Sequence, residues 1–201
     1  MLSLSNLSKS YQHQLLFNQL NIDFGNSKYC IRGVNGSGKT TLLMLAGGLE
    51  PADQGTVTID NIDIRAANAK RLIGVCSDKI QLPSFLTSQQ LLEFHLEQHQ
   101  CQWPQQMIEQ LSFGQQLATG VAKLSLGSYK KLGLLLALSH QPKYLLLDEP
   151  TTGLDQASRD WLISYLDSSQ QTLVLASHEA CFTEHKDYQQ LDIANLKSSN
   201  E

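Results

Sequence analysis

Long apolar runs are missing from this chain of 201 residues. The longest, Leu132–Leu138, is far shorter than the roughly 20 residues a membrane-crossing helix needs. The chain is therefore not expected to span a bilayer itself. Charge is sparse at 17%, with 15 Lys and Arg against 19 Asp and Glu, a formal net charge of -4 and no basic run. That balance argues against nucleic acid as the main partner. The four cysteines, Cys30, Cys76, Cys101 and Cys181, lie far apart without metal-like pairing. They suit a reduced cytosolic protein better than a disulfide framework. The opening Met1–Asn6 alternates like a strand and lacks the basic start of a signal peptide. Glutamine is frequent but dispersed, and there is no repeat or low-complexity tract. A hydrophobic content of 41% is enough for one compact domain with a substantial core.

What is present is a glycine-rich run, Gly33-Val34-Asn35-Gly36-Ser37-Gly38-Lys39-Thr40-Thr41, between the apolar Tyr29–Ile31 and Leu42–Ala46. Strand, glycine loop and helix in that order form a phosphate-binding loop. Its glycines let backbone N–H groups turn inward, and the new helix directs its positive end at an anion. Asn35, Gly36, Ser37, Gly38 and Thr41 are candidate phosphate contacts. Lys39 is expected at the β- and γ-phosphates of ATP, and the Thr40 hydroxyl at Mg²⁺.

The remaining pattern predicts an α/β fold: a P-loop ATPase core, a strand-rich N-terminal region and an inserted helical subdomain. Strands are expected at Leu2–Leu7, Leu16–Phe24, Lys28–Ile31 and Thr56–Ile59, with a turn at Pro51–Gly55. Short apolar runs at Arg71–Cys76, Tyr144–Leu147 and Thr172–Ala176 read as buried parallel strands. Helices are expected at Ser88–His99, Gln105–Leu117, Ser128–Ser139 and Gln156–Leu166. No linker divides the chain. Residues 1–201 read as one domain, with about 1–77 and about 131–201 in a core lobe and about 78–130 in the helical subdomain.

The run Tyr144–Leu147 ends in Asp148 and Glu149. An apolar strand that delivers acids at its carboxyl end is where an α/β sheet places ligand chemistry. Asp148 is a candidate Mg²⁺ ligand and Glu149 a candidate general base for the attacking water. With these residues the chain resembles the ATP-binding subunits of ABC (ATP-binding cassette) transporters. The family's signature segment precedes the second acidic strand, and Leu124-Ser125-Leu126-Gly127-Ser128 stands in that place. Taken alone, those five residues are an ordinary Ser-capped helix start. The resemblance implies that Ser125 and Gly127 touch the γ-phosphate of ATP held by a partner subunit. It also implies that Thr152–Asp155 crosses the dimer interface, that His178 is a catalytic switch at the γ-phosphate, and that Tyr11 lies under the adenine. A second ATP-binding subunit, identical or a close paralogue, and an integral membrane permease are the partners implied. The location implied is cytoplasmic and peripheral on the membrane. The lean C-terminal part and the Leu-Ser-Leu-Gly wording are most similar to export-type (ABC-2-like) and cytochrome c biogenesis-like subunits. A soluble ABC ATPase in assembly, translation or repair is the alternative reading, and a non-hydrolysing adaptor a third.

Two positions depart from the family's pattern. Asp78 stands where a Mg²⁺-sensing glutamine is usual, and is carried forward as a metal candidate. Ser128 replaces the signature's final glutamine. Leu82, Phe85, Leu91 and Leu92 lie where the family receives its permease, or are simply core. The pair His95 and His99, four residues apart, has no evident third ligand. It reads as part of a solvated helix face. The tail from Asp187 to Leu196 is expected to add a last strand or hairpin.

Overall fold

The computed structural model describes residues 1–12 and 14–198. An antiparallel sheet holds β1 (Leu2–Tyr11), β2 (Gln14–Phe24), β4 (Gln54–Ile59) and the short β5 (Ile62–Asp63) in the order β2-β1-β4-β5. A parallel sheet holds β3 (Lys28–Arg32), β6 (Ile73–Cys76), β7 (Tyr144–Asp148), β8 (Thr172–Ala176) and β9 (Tyr188–Asp192) in the order β6-β7-β8-β3-β9. Helix α1 (Lys39–Ala46) follows β3, and the short α2 (Ala67–Lys70) precedes β6. Between β6 and β7 come α3 (Ser88–His99), α4 (Gln105–Gln110) and α5 (Leu126–Leu138). Helix α6 (Gln156–Ser168) joins β7 to β8, and α7 (Ala180–Thr183) and α8 (Ile193–Ser198) flank β9.

Because successive side chains point to opposite faces and both faces are covered, the central strands β7 and β8 are buried along their whole length. On β7, Tyr144 and Leu146 face a core shared with α1 and the antiparallel sheet, where Leu42, Leu43, Leu4 and Phe17 are buried. Leu145 and Leu147 face the other side, against Leu135 and Leu138 of α5 and Leu162 of α6. Strand β8 divides in the same way, with Val174 inward to the first core and Leu173 and Leu175 to the second. Each such leucine removed from water is worth about 1.5–3 kcal/mol, so both faces of the parallel sheet are strongly specified.

Most expected elements form, with their ends shifted by a few residues. The expected helix Gln105–Leu117 stops at Gln110, because Ser112 turns left-handed (φ 51) and a short 3₁₀ turn follows at Gly114–Gln116. The tail supplies the expected last strand, β9, which runs parallel to β3 and continues directly into α8 instead of turning back as a hairpin. The reading of His95 and His99 as a solvated face is also corrected. Both are half-buried, because the turn after α5 brings His140 against them.

Candidate functional site

Strand register builds the site. In the parallel sheet, Asp148 pairs with Ala176, and Ile31 also pairs with Ala176. The carboxyl ends of β7, β8 and β3 therefore lie side by side, and the residues that follow them converge. These are Glu149, Ser177-His178 and the loop Gly33–Gly38. The outside of the strand carboxyl ends is where open α/β sheets bind ligands.

The loop turns through left-handed backbone at Gly36 (φ 77) and Gly38 (φ 105). At Gly38 a Cβ would also press Leu16 Cδ1 at 3.0 Å, so only glycine suits that turn. Lys39 Nζ donates to Gly33 O (2.7 Å) and Val34 O (3.2 Å), and lies 3.0 Å from His178 Nε2. Among the described residues Ser37 Oγ has no hydrogen-bond partner, a buried open hydrogen-bonding group inside the loop. An open cleft of about 760 Å³ is lined by Tyr11, the loop from Asn35 through Thr41, Asp148 and Glu149. At its far end Tyr11, 42% exposed, donates its hydroxyl to Glu50 Oε1. Burial, then that carboxylate, pushes the phenol up to about 12.

Asp148 is buried and accepts a bond from Ser77 Oγ (2.9 Å). Glu149 sits in left-handed backbone (φ 43), held by its N–H to Ala176 O (2.9 Å). Its carboxylate lies 3.7 Å from His178 Nε2. Burial, with a smaller push from Asp148, raises the Glu149 carboxyl above its ordinary range despite attraction from His178 and Lys39. A raised carboxyl beside an anion site is suited to accept a proton.

Tyr11, Asn35 through Thr41, Asp148 and Glu149 thus share one cleft, and His178 joins them through Lys39. Asp78 does not line the cleft. Register pairs Cys76 with Leu147, which brings Ser77 beside Asp148 and turns Asp78 toward a groove lined also by Cys76, Tyr129 and Lys130. There it forms an ion pair with Lys130 (2.7 Å), whose buried ammonium also donates to Asp148 O (3.2 Å). Lys79 lines the cleft in its stead. Ser125 and Gly127 are not among the cleft-lining residues either. Ser125 is exposed and caps α5 by accepting from Ser128 N (3.2 Å), and Leu126 beside it is 68% exposed. Gly127 packs on the loop after β7, where a Cβ would meet Gly153 O at 2.5 Å. Gly127→Ala is expected to destabilise the protein by about 1–3 kcal/mol through this overpacking. A lower urea midpoint would register it, and an unchanged midpoint would count against the contact.

Several site residues had no signal of their own in the sequence. Ser77 and Lys130 belong here, as does Glu179, which accepts from Thr151 Oγ1 (2.7 Å) and from Arg159 (2.7 Å). Lys131 pairs with Asp155, which caps α6 by accepting from Ser158 N (3.0 Å). Lys131 holds the Asp155 carboxyl well below the usual range. The loop Thr151–Asp155 is therefore tied to α5 through Lys131, and to α6 and the segment after His178 through Arg159 and Glu179.

The family model described as ABC transporter matches residues 17–152. The chain belongs to that family. Nod factor export ATP-binding protein I of Sinorhizobium fredii is 33% identical to this cassette over 189 residues, 88% of the chain and 55% of that protein. Linearmycin resistance ATP-binding protein LnrL of Bacillus subtilis is 26% identical over 89% of the chain and 61% of its own length. Thiamine import ATP-binding protein ThiQ of Photorhabdus laumondii is 32% identical over 89% of the chain and 80% of its own length. The cassette thus spans little more than half of the first two relatives. A solved ATP-binding subunit of an ABC transporter superposes with a TM-score of 0.82 at 19% identity, over 96% of this chain and 86% of its own. That likeness shows the fold, the α/β P-loop cassette. Among the described residues, no helix is long and apolar enough to cross a membrane.

Proposed function

We propose that the cassette is the ATP-binding and hydrolysing subunit of an ABC transporter, working as one of a pair beneath a separate membrane-spanning permease. The single observation that carries this reading is the division of its groups. Lys39, Asp148 and Glu149 line one cleft and His178 joins them through Lys39, whereas Ser125 and Gly127 lie on an exposed helix start outside it. A helix start offers free N–H donors to an anion. Two copies, or this chain and a paralogue, set head to tail would complete each cleft with the other's Ser125 and Gly127. The core lobe (about 1–77 and about 131–201) would then hold the nucleotide, and the helical region (about 78–130) would present the signature.

The residues suit the ligands. The loop's N–H groups, Lys39 and the open Ser37 hydroxyl would bind the phosphates, and Tyr11 would face the base. Thr40 and Asp148 offer a hydroxyl and a carboxylate, the oxygen donors that Mg²⁺ prefers. Mg²⁺ when bound neutralises charge on the β- and γ-phosphate oxygens. Glu149 would take the proton of the attacking water, and His178, beside both Glu149 and Lys39, would hold the γ-phosphate end. ATP shared across the pair favours the closed dimer, and cleavage removes that bridge, a ligand-driven population shift. Asp78, tied to Lys130, would report the state of the cleft through Asp148 to the groove. The place of work is the cytoplasmic face of the membrane. Relatives of similar identity are named for export and for import, and export is favoured here by the Leu124–Gly127 wording.

The test is affinity purification of tagged Glu149→Gln protein from gently solubilised cells with MgATP, followed by mass spectrometry. A stoichiometric polytopic membrane protein is the expected result. Recovery of only soluble partners would overturn the transport assignment and favour a soluble ATPase.

A further inference from the structure

The cluster His95, His99 and His140 is not used by the nucleotide site, and it is not the arrangement a solvated helix face produces. His95 and His99 stand one turn apart on α3 and point the same way. His140 follows the end of α5 and meets both: its ring centroid is 5.1 Å from that of His95 and 4.0 Å from that of His99. One ligating atom from each of the three rings lies within 4.8 Å of the others. His95 Nε2 and His140 Nδ1 are 3.2 Å apart. Two nitrogens bound to one tetrahedral zinc at about 2.0–2.1 Å are separated by about 3.3 Å, so this pair already has the required spacing, and His99 needs only a small swing to join.

The hydrogen bonding points the same way. His140 Nε2 lies 3.2 Å from Ile73 O at the start of β6. A proton on Nε2, donated to that carbonyl, leaves Nδ1 with its lone pair 3.2 Å from His95 Nε2, the Leu136 carbonyl also lying beside it (3.3 Å). Metal-binding histidines commonly donate their second nitrogen to a backbone carbonyl in this manner, which fixes tautomer and ring plane. Among the described residues, the His99 ring nitrogens make no hydrogen bond to protein, so a lone pair there is available. Burial, then repulsion from neighbouring rings, holds His95 at about 3 and His140 at about 4, so both imidazoles are neutral and able to ligate near pH 7.

We propose that His95, His99 and His140 form a binding site for one divalent transition-metal ion of the zinc type. Three neutral imidazoles and no carboxylate select borderline ions such as Zn²⁺ over Mg²⁺ or Ca²⁺. The fourth position is a water, supplied from the groove that His95 and His140 line. The ion pins α3 to the far end of α5, the helix that begins at the signature Ser125, and to β6 through the His140 bond to Ile73. It is a clamp across the junction between the inserted helices and the parallel sheet. The site stands on these three rings alone and does not depend on the transporter assignment.

The test is titration of the purified, nucleotide-free protein with Zn²⁺ against a chromophoric chelator, alongside Co²⁺ absorption spectroscopy. One Zn²⁺ per chain is expected, with a visible Co²⁺ spectrum of a four-coordinate site. His99→Gln and His140→Gln should each weaken the binding by at least about tenfold, and Cys101→Ser should leave it unchanged. Zn²⁺ should raise the melting temperature of the native protein but not of either variant, a readout that also shows the variants are folded. Equal affinity in native and variant proteins, no bound ion, or loss of binding in Cys101→Ser would overturn the assignment.

Discussion

Glu149→Gln is expected to lower steady-state MgATP hydrolysis by about 10²–10⁴-fold, the usual contribution of a general base, while ATP affinity changes only a few-fold. The two carboxyl-end neighbours explain the separation. On the proposed reading, binding rests on the loop, Lys39 and Tyr11, whereas Glu149 is poised by its left-handed backbone and by the burial that raises its carboxyl. An amide keeps that shape but cannot take the water's proton. Phosphate release in a single turnover, with nucleotide affinity measured on the same preparation, separates the two effects. In the same variant, saturating ATP should shift the protein to a dimer by light scattering. Turnover within tenfold of native would remove Glu149 from the base role. A monomer at saturating ATP would count against the paired clefts.

The second large effect is on stability in acid. In the metal-free protein, His95 at about 3 and His140 at about 4 lie far below the ordinary histidine value near 6.5. His99 is lowered too, by burial and by Arg71. The unfolded chain therefore binds more protons than the native one below pH 6.5, so stability is full above that value and is lost as pH falls toward the native values. By pH 5 each fully neutral ring costs about 2 kcal/mol, and the cluster about 2–4 kcal/mol together. The raised Glu149 works weakly in the opposite sense. The depressed Asp60 and Asp155 lose their contribution only at lower pH, outside this window. Urea unfolding with EDTA at pH 7.5 and pH 5 should show the drop. The His95→Gln/His140→Gln double variant should flatten it. A native midpoint that moves no more than the variant's would rule out the cluster as its source.

The parts of this molecule legible in the sequence are those with a local cause. Glycines before Lys39 and an apolar strand before Asp148 announce themselves, because the loop and the strand are each built from consecutive residues. The helix starts at Ser88 and Gln156 have a local cause too, which the structure shows as the caps Thr87 and Asp155. What was not legible depends on register between distant segments. Ser77 lies beside Asp148 only because Cys76 pairs with Leu147. Asp78 is drawn to Lys130 by a contact made across the groove. His140 closes on α3 only once α5 has packed under it, so counting along one helix found two of the three rings and placed them in water. The expected helix to Leu117 failed on a single residue, Ser112, whose left-handed turn no periodicity could report.

The same dependence on register divides the chain into places where its length can and cannot drift. Adding one residue within β7 would exchange its two faces. Tyr144 and Leu146 would trade places with Leu145 and Leu147, and Asp148 would lose Ser77 while Glu149 left the bond to Ala176. Deleting one residue there would do the same. At Gly114 and Gln115, by contrast, the chain is exposed in a short 3₁₀ turn between the buried Phe113 and the contacts that Leu117 and Thr119 make with α3. A residue added at that turn should be tolerated, while the five residues of β7 keep their count.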